Sequence, residues 1–236
     1  MRKAPESEPR ASAGAVEGAV FALVGLLLAF TFTSAASRFD ARRALIVREV
    51  NAIGTAWLRL DLLEAEQTGG TEHIRRAFAD YVDARVLAHQ QLADEAQALS
   101  TLARADELQR AIWLDSTVSA RQIPQPYAAT LVLPALNEMF DSAAARVIAL
   151  RTHLPTPILV LLGGLAILAA VLAVHSMASR GPRNWFHAII FAGSMSIAVY
   201  TILDLEYPRF GLIRVDEADL PMAELRDAIR ASVSGG

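Results

Sequence analysis

The chain has 236 residues, 53% hydrophobic and 20% charged, with a formal net charge of −3 and no cysteine. Without cysteine there is no disulfide framework, thiolate metal site or cysteine nucleophile. A near-neutral charge without a basic stripe argues against a nucleic-acid partner. The charges are unevenly spread, because residues 18–37, 152–179 and 184–203 contain no Asp, Glu, Lys or Arg. About 20 such residues span a bilayer core as a helix. The sequence therefore excludes a soluble protein with one core and predicts three transmembrane helices.

The chain begins with residues 1–12, which are polar and rich in Pro and Ser and predict a disordered N-terminus. Residues 13–37 form the first predicted transmembrane helix. This apolar segment is longer than the h-region of a signal peptide, which has roughly 7–15 residues. Arg38, Arg42 and Arg43 follow it at once. We therefore expect a retained helix and no cleavage.

Residues 38–153 are the only sizeable polar region, and apolar side chains recur there at spacings of three and four. This period is typical of amphipathic helices, and no alternating strand pattern competes with it. The region is predicted to be an all-α cytoplasmic bundle. One stripe in it mixes apolar and polar positions, namely Ile74, Phe78, Tyr81, Arg85, His89, Leu92, Ala96, Leu99 and Leu102.

Two further apolar segments follow. Residues 155–178 and 185–203 are predicted as the second and third transmembrane helices, joined by a tight loop at 179–183. Residues 204–236 are predicted as a C-terminal cytoplasmic segment, in which the spacing over 222–229 suits a short helix.

Basic residues near the membrane ends indicate the orientation, because they are in excess on the cytoplasmic side. One side carries eight and the other five: Arg38, Arg42, Arg43, Arg48, Arg146, Arg151, Arg209 and Arg214 against Arg2, Lys3, Arg10, Arg180 and Arg183. The excess places the helical region and the C-terminus in the cytoplasm of a bacterial cell, in a multi-pass protein of the inner membrane. Three spans would then leave the N-terminus outside.

Polar residues on the first span are candidates for lining a pore. Thr31, Ser34 and Ser37 lie towards one side of the inner half of this helix, and Glu17 lies at its outer edge. Such residues can face a water-filled path. The alternatives remain open, because hydroxyls also bond to carbonyls of their own helix and a Glu at a membrane edge can extend to the headgroups.

The basic residues after the first span have two interpretations. Arg38, Arg42 and Arg43 are candidates for binding anionic lipid headgroups. They can equally form ion pairs with neighbouring helices.

Catalytic motifs are not found in the sequence. The five histidines include no pair three or four residues apart, and no nucleophile elbow, P-loop or dinucleotide-binding motif occurs. We therefore predict no catalytic residue, no metal site, no cofactor and no enzyme.

Three blocks of the chain resemble the bestrophin-like domain family of bacterial membrane proteins, whose function is unknown. They are FTFTSAASRFDARRALIVREVNAIGTAWLRLDLL at 30–63, LPALNEMFDSAAAR at 133–146 and LDLEYPRFGLIRVD at 203–216. The resemblance covers about residues 14–230 and implies a membrane protein with kinship to bestrophin anion channels. Those channels are pentamers whose helices run from the membrane into the cytoplasm.

The chain departs from that pattern in two ways. Family members often begin with a further hydrophobic segment, whereas only twelve polar residues precede the first span here. A fourth span would place both termini inside. The acidic residues of the bestrophin calcium clasp have no recognisable counterpart.

Two functional hypotheses follow. The first is an oligomeric ion channel, a homo-oligomer in the lipid bilayer that conducts ions past the polar residues of the first span. The second is a membrane-anchored scaffold or sensor that conducts nothing and whose cytoplasmic helices dock a partner. Oligomeric mass and symmetry distinguish the two.

Overall fold

The computed structural model describes residues 8–63, 71–91, 94–123, 127–178, 185–207, 212 and 219–235. Every regular element in these ranges is helical. The helices are α1 Glu8–Arg59, continued by a 3₁₀ turn Leu60–Leu63, then α2 Glu72–Gln90, α3 Glu95–Gln122, α4 Tyr127–Arg151, α5 Thr156–Ala178, α6 Trp185–Glu206 and α7 Leu220–Ser234.

Three helical segments are long and apolar enough to cross a membrane, within Gly14–Leu63, Tyr127–Ser176 and Phe186–Glu206. The predicted all-α fold with three membrane-crossing helices is therefore confirmed. Helix α1 begins at Glu8, whereas the sequence pattern places the start of the span at residue 13. Of the N-terminal residues 1–12, predicted to be disordered, residues 1–7 lie outside the described residues and residues 8–12 belong to α1. The predicted loop at 179–183 also lies outside the described residues.

The chain divides into two compact units. Unit 1 contains residues 1–41 and 152–214, and unit 2 contains residues 42–151 and 215–236. Each unit has its own set of packed side chains.

Unit 1 has a small core and a large apolar surface. Helix α5 packs on α6, and Ala35, Leu162 and Ile202 are buried together. Most other apolar side chains of these helices are exposed or partly exposed in the single chain; Val160 and Ile197, for example, are each 68% exposed. Apolar surface of this extent requires lipid or another protein surface to cover it.

Unit 2 is a helical bundle with a larger core. Helix α2 packs against α3 and α7, and α3 packs against α4. The centre of the core is apolar and fully buried, and it includes Ile53, Leu60, Ile74, Phe78, Leu136, Met139 and Ile229. The stripe expected from Ile74 to Leu102 does not continue along one helix, because α2 ends at Gln90 and α3 begins at Glu95.

The start of α3, which follows the break, is fixed by a capping residue. The carboxylate of Asp94 accepts a hydrogen bond from the backbone N–H of Gln97 at 3.1 Å. This is an N-cap, which satisfies one of the donors that the start of every helix leaves unpaired. Leu92, the stripe residue in the connection, lies outside the described residues.

Candidate functional site

The structure gives the four pore candidates of α1 different surroundings. Ser37 is exposed, Ser34 and Glu17 are partly exposed, and Thr31 is buried. The Thr31 hydroxyl donates to the carbonyl of Leu27 at 2.8 Å. Thr31 thus forms the local helix bond that hydroxyls commonly make, and Ser37 presents the most accessible hydroxyl of the set.

The three candidate headgroup arginines also differ. Arg42 is buried, and its Nε donates to the carbonyl of Ala149 at 3.2 Å within unit 2. Arg38 is ion-paired with Glu206 in unit 1. Arg43 is exposed. Of the three guanidinium groups, that of Arg43 has the greatest access to solvent or lipid.

A polar cluster in unit 1 surrounds Glu206, the last residue of α6. The Glu206 side chain is fully buried and accepts hydrogen bonds from Arg38 Nε at 3.0 Å and from the backbone N–H of Leu154 at 2.6 Å. His153 Nδ1 lies 3.6 Å from Glu206 Oε1, and the His153 ring stacks on Tyr207 at 4.9 Å between ring centroids. One carboxylate therefore joins the middle of α1, the residues just before α5 and the end of α6.

A second carboxylate lies close by on α6. Asp204 is 5% exposed, and both of its oxygens accept the backbone N–H of Leu212, at 2.9 and 3.1 Å. Such a donor is needed here, because an unsatisfied charge would be costly to bury, and the two contacts hold Leu212 beside Asp204.

Unit 2 contains a buried ionic network centred on Glu49 of α1. The Glu49 carboxylate is 0% exposed and lies 2.7 Å from Arg85 Nε and 2.9 Å from Arg146 Nη1. Arg146 also pairs with Asp219, which precedes α7. Two carboxylates and two guanidinium groups thus compensate one another inside the bundle.

The neighbouring titratable groups respond to this burial. For Arg85, burial is the largest influence and acts to lower the pKa, but the Glu49 carboxylate together with Tyr81 and Asp106 outweighs it and the pKa is raised. For Tyr81, burial raises the pKa above its usual value, so the phenol stays protonated at physiological pH.

The sequence contains a partial signal for these clusters. Arg85 lies on the predicted apolar stripe, and a charge in such a position indicates a buried partner. Its partner Glu49 is 36 residues away along the chain, which spacing does not identify. Glu206 and Asp204 follow a predicted span and were not recognised as functional candidates.

In the clusters around Glu206 and Glu49, opposite charges compensate one another and hold neighbouring helices together. Within the described ranges, no three His, Asp or Glu side chains are grouped closely enough to hold a metal ion.

Comparisons with known proteins give a consistent result. A family model described as the Bestrophin-like domain matches residues 1–220. A single-substitution variant of a bacterial bestrophin homolog from Klebsiella pneumoniae is similar over 94% of this chain and 88% of that chain, with a TM-score of 0.73 and 14% identity. A structure of a bacterial bestrophin homolog from the same organism, solved by Zn-SAD phasing, is similar over 93% of this chain and 85% of that chain, with a TM-score of 0.69 and 16% identity. No curated protein matches the chain. At these identities the structural similarity shows a shared fold.

Proposed function

Because the chain belongs to the Bestrophin-like family, we propose that this membrane protein forms an oligomeric ion channel. The family match confirms the resemblance predicted from the sequence. The structural relatives are described as bacterial bestrophin homologs, which supports a channel-forming fold.

The observation that carries the proposal is the accessible polar residues on α1. Ser37, Ser34 and Glu17 lie in or beside the mostly apolar part of α1 that carries no charge from residue 18 to residue 37, and none of the three is buried. Polar side chains in a membrane helix avoid lipid and face a bundle interior or a water-filled path. We assign these three residues to the pore. We do not assign Thr31 to the pore surface, because it is buried and its hydroxyl donates to the Leu27 carbonyl of α1.

The apolar surface of unit 1 supports assembly from several copies. Exposed aliphatic and aromatic side chains occur on α1, α5 and α6, including Phe30 at 64%, Val160 at 68% and Ile197 at 68%. A pore formed around α1 needs copies of the chain to surround it, and the remaining apolar surface then meets lipid.

The proposed orientation follows from the excess of basic residues beside unit 2. Unit 2 and the C-terminal segment lie in the cytoplasm, and the protein is a multi-pass component of a bacterial inner membrane. Arg43 is the basic residue that we assign to anionic lipid headgroups, because its side chain is exposed whereas Arg38 is partly exposed and Arg42 is buried. The proposal includes no catalytic step.

Reconstitution tests the proposal. Purified protein in planar bilayers should give discrete current steps, and its mass in detergent or nanodiscs should correspond to a symmetric oligomer. A monomer that carries no current over a range of ions, lipids and membrane tensions would contradict the channel and favour the scaffold.

A further inference from the structure

Unit 2 contains a cavity that the channel proposal does not use. It has a volume of about 430 Å³, which is within the range of small-molecule sites. Its floor includes Tyr81 and Arg85 of α2, and its walls come from α3 and α4. A smaller cavity of about 170 Å³ shares Leu99, Leu102 and Val147 with it, so the two form one groove.

The groove is elongated and largely apolar. Along α4 its lining extends from Phe140 to Arg151, a separation of eleven residue steps or about 16 Å at the rise of a helix. Leu99 and Ile148 are 46% and 65% exposed. These side chains provide the walls that would cover the body of an apolar ligand.

The deep end of the groove holds a buried hydroxyl without a hydrogen bond. Tyr81 is 1% exposed, and its hydroxyl has no hydrogen-bond partner in the described part of the chain. The hydroxyl interacts electrostatically with Arg85 and Asp106, and both of these residues line the groove. The phenol therefore lies at the groove and can donate one hydrogen bond to an occupant.

The charges at this end favour an uncharged occupant. The Arg85 guanidinium donates to Glu49 and to the carbonyl of Ala143, and Asp106 adds a negative charge. Phe140 of α4 lies beside Tyr81, with 6.2 Å between the ring centroids, and the groove's other cation, Arg151, lines the groove eleven residues further along α4. A carboxylate placed beside Tyr81 would thus find the nearby Arg85 guanidinium already engaged and would meet the like charge of Asp106. A carbonyl or hydroxyl oxygen meets neither penalty.

We propose that the groove between α2, α3 and α4 binds an uncharged amphiphile, with its oxygen on the Tyr81 hydroxyl and its aliphatic body along Leu99, Leu102 and Val147. The site is separate from the proposed pore, so it can be tested whether or not the protein conducts.

The experiment uses the full-length protein in nanodiscs and a diazirine derivative of 1-decanol as the probe. After illumination, mass spectrometry should locate the label within residues 99–109 and 140–151. An excess of 1-decanol should suppress this labelling, whereas decane and decanoate should suppress it much less. Tyr81→Phe removes only the hydroxyl and should reduce labelling about three- to tenfold, the value of one hydrogen bond.

Two further variants complete the design. Ala144 lines the groove and is exposed, so Ala144→Leu should obstruct the groove and abolish labelling. Ser116 also has a buried hydroxyl without a partner among the described residues, but it lines neither cavity. Ser116→Ala should therefore label like the original protein.

Three results would overturn the proposal. The first is labelling that is absent or lies outside the two ranges, as expected if another copy of the chain covers the groove. The second is labelling unchanged by Tyr81→Phe. The third is stronger competition by decanoate than by 1-decanol.

Discussion

Replacing Glu49 by Gln tests the role of the buried ionic network in unit 2. The substitution preserves the shape of the side chain but removes the charge that Arg85 and Arg146 share. Both guanidinium groups lie within 3 Å of the carboxylate, at 2.7 and 2.9 Å, and their side chains are only 4% and 3% exposed. Neither can turn to water to recover its solvation.

The expected cost follows from this burial. Removing one partner of a buried ion pair typically costs about 3–5 kcal/mol, because the remaining charge is left uncompensated. In a protein of this size, 1 kcal/mol lowers the melting temperature by about 2–4 °C. Glu49→Gln should therefore lower the melting temperature of the helical bundle by roughly 6–20 °C.

A matched control comes from the same pair of helices. Arg48 of α1 and Glu138 of α4 form an ion pair at 2.8 Å, but their side chains are 58% and 49% exposed. An exposed pair of this kind contributes about 1 kcal/mol or less. Glu138→Gln should thus change the melting temperature by no more than about 4 °C.

The assay is thermal unfolding followed by circular dichroism, with both variants in the same detergent and at the same pH. The reasoning is refuted if Glu49→Gln and Glu138→Gln melt at the same temperature. It is also refuted if Glu49→Gln melts higher than the original protein.

Three further substitutions, one of them paired with a control, test individual elements of the fold. Asp94→Ala removes the N-cap of α3 and should cost about 1 kcal/mol, measured by urea unfolding; an unchanged midpoint would show that the cap contributes nothing. Ile53→Ala empties a fully buried position and should cost about 2–5 kcal/mol, whereas Leu58→Ala, at a side chain 69% exposed, should cost less than about 1 kcal/mol; equal effects would contradict the described core. Glu206→Gln weakens the bond to Arg38 and should speed amide exchange at the start of α5, measured by mass spectrometry; unchanged exchange would contradict its role in joining the helices.

The fold was largely predictable because its strongest determinants are local. Charge-free windows of about 20 residues have few alternatives to membrane helices, and the structure has α1, α5 and α6 there. The apolar spacing of three and four residues in the polar region predicts helices in the same local way. The end of α2 was missed because apolar spacing continues across it, while the signal for the break is the single cap residue Asp94.

The polar clusters were less predictable because their members meet only in the folded chain. Glu49 and Arg146 are 97 residues apart, and Arg38 and Glu206 are 168 apart. A sequence pattern shows that Arg85 occupies a core position, but it does not show which carboxylate compensates it. Thr31 and Ser37 are both small hydroxyl residues on the same predicted span, but only the structure shows that Thr31 is buried and Ser37 is exposed.

The most direct test of the central claim is chemical modification of α1 in a conducting protein. The chain contains no cysteine, so Ser37→Cys introduces a single reactive thiol. If α1 lines the pore, a charged, water-soluble thiol reagent should change the current through the Ser37→Cys channel within seconds to minutes. Val160→Cys, on α5 and 68% exposed, should show no change. Currents that Ser37→Cys modification leaves unaltered would contradict a pore lined by α1.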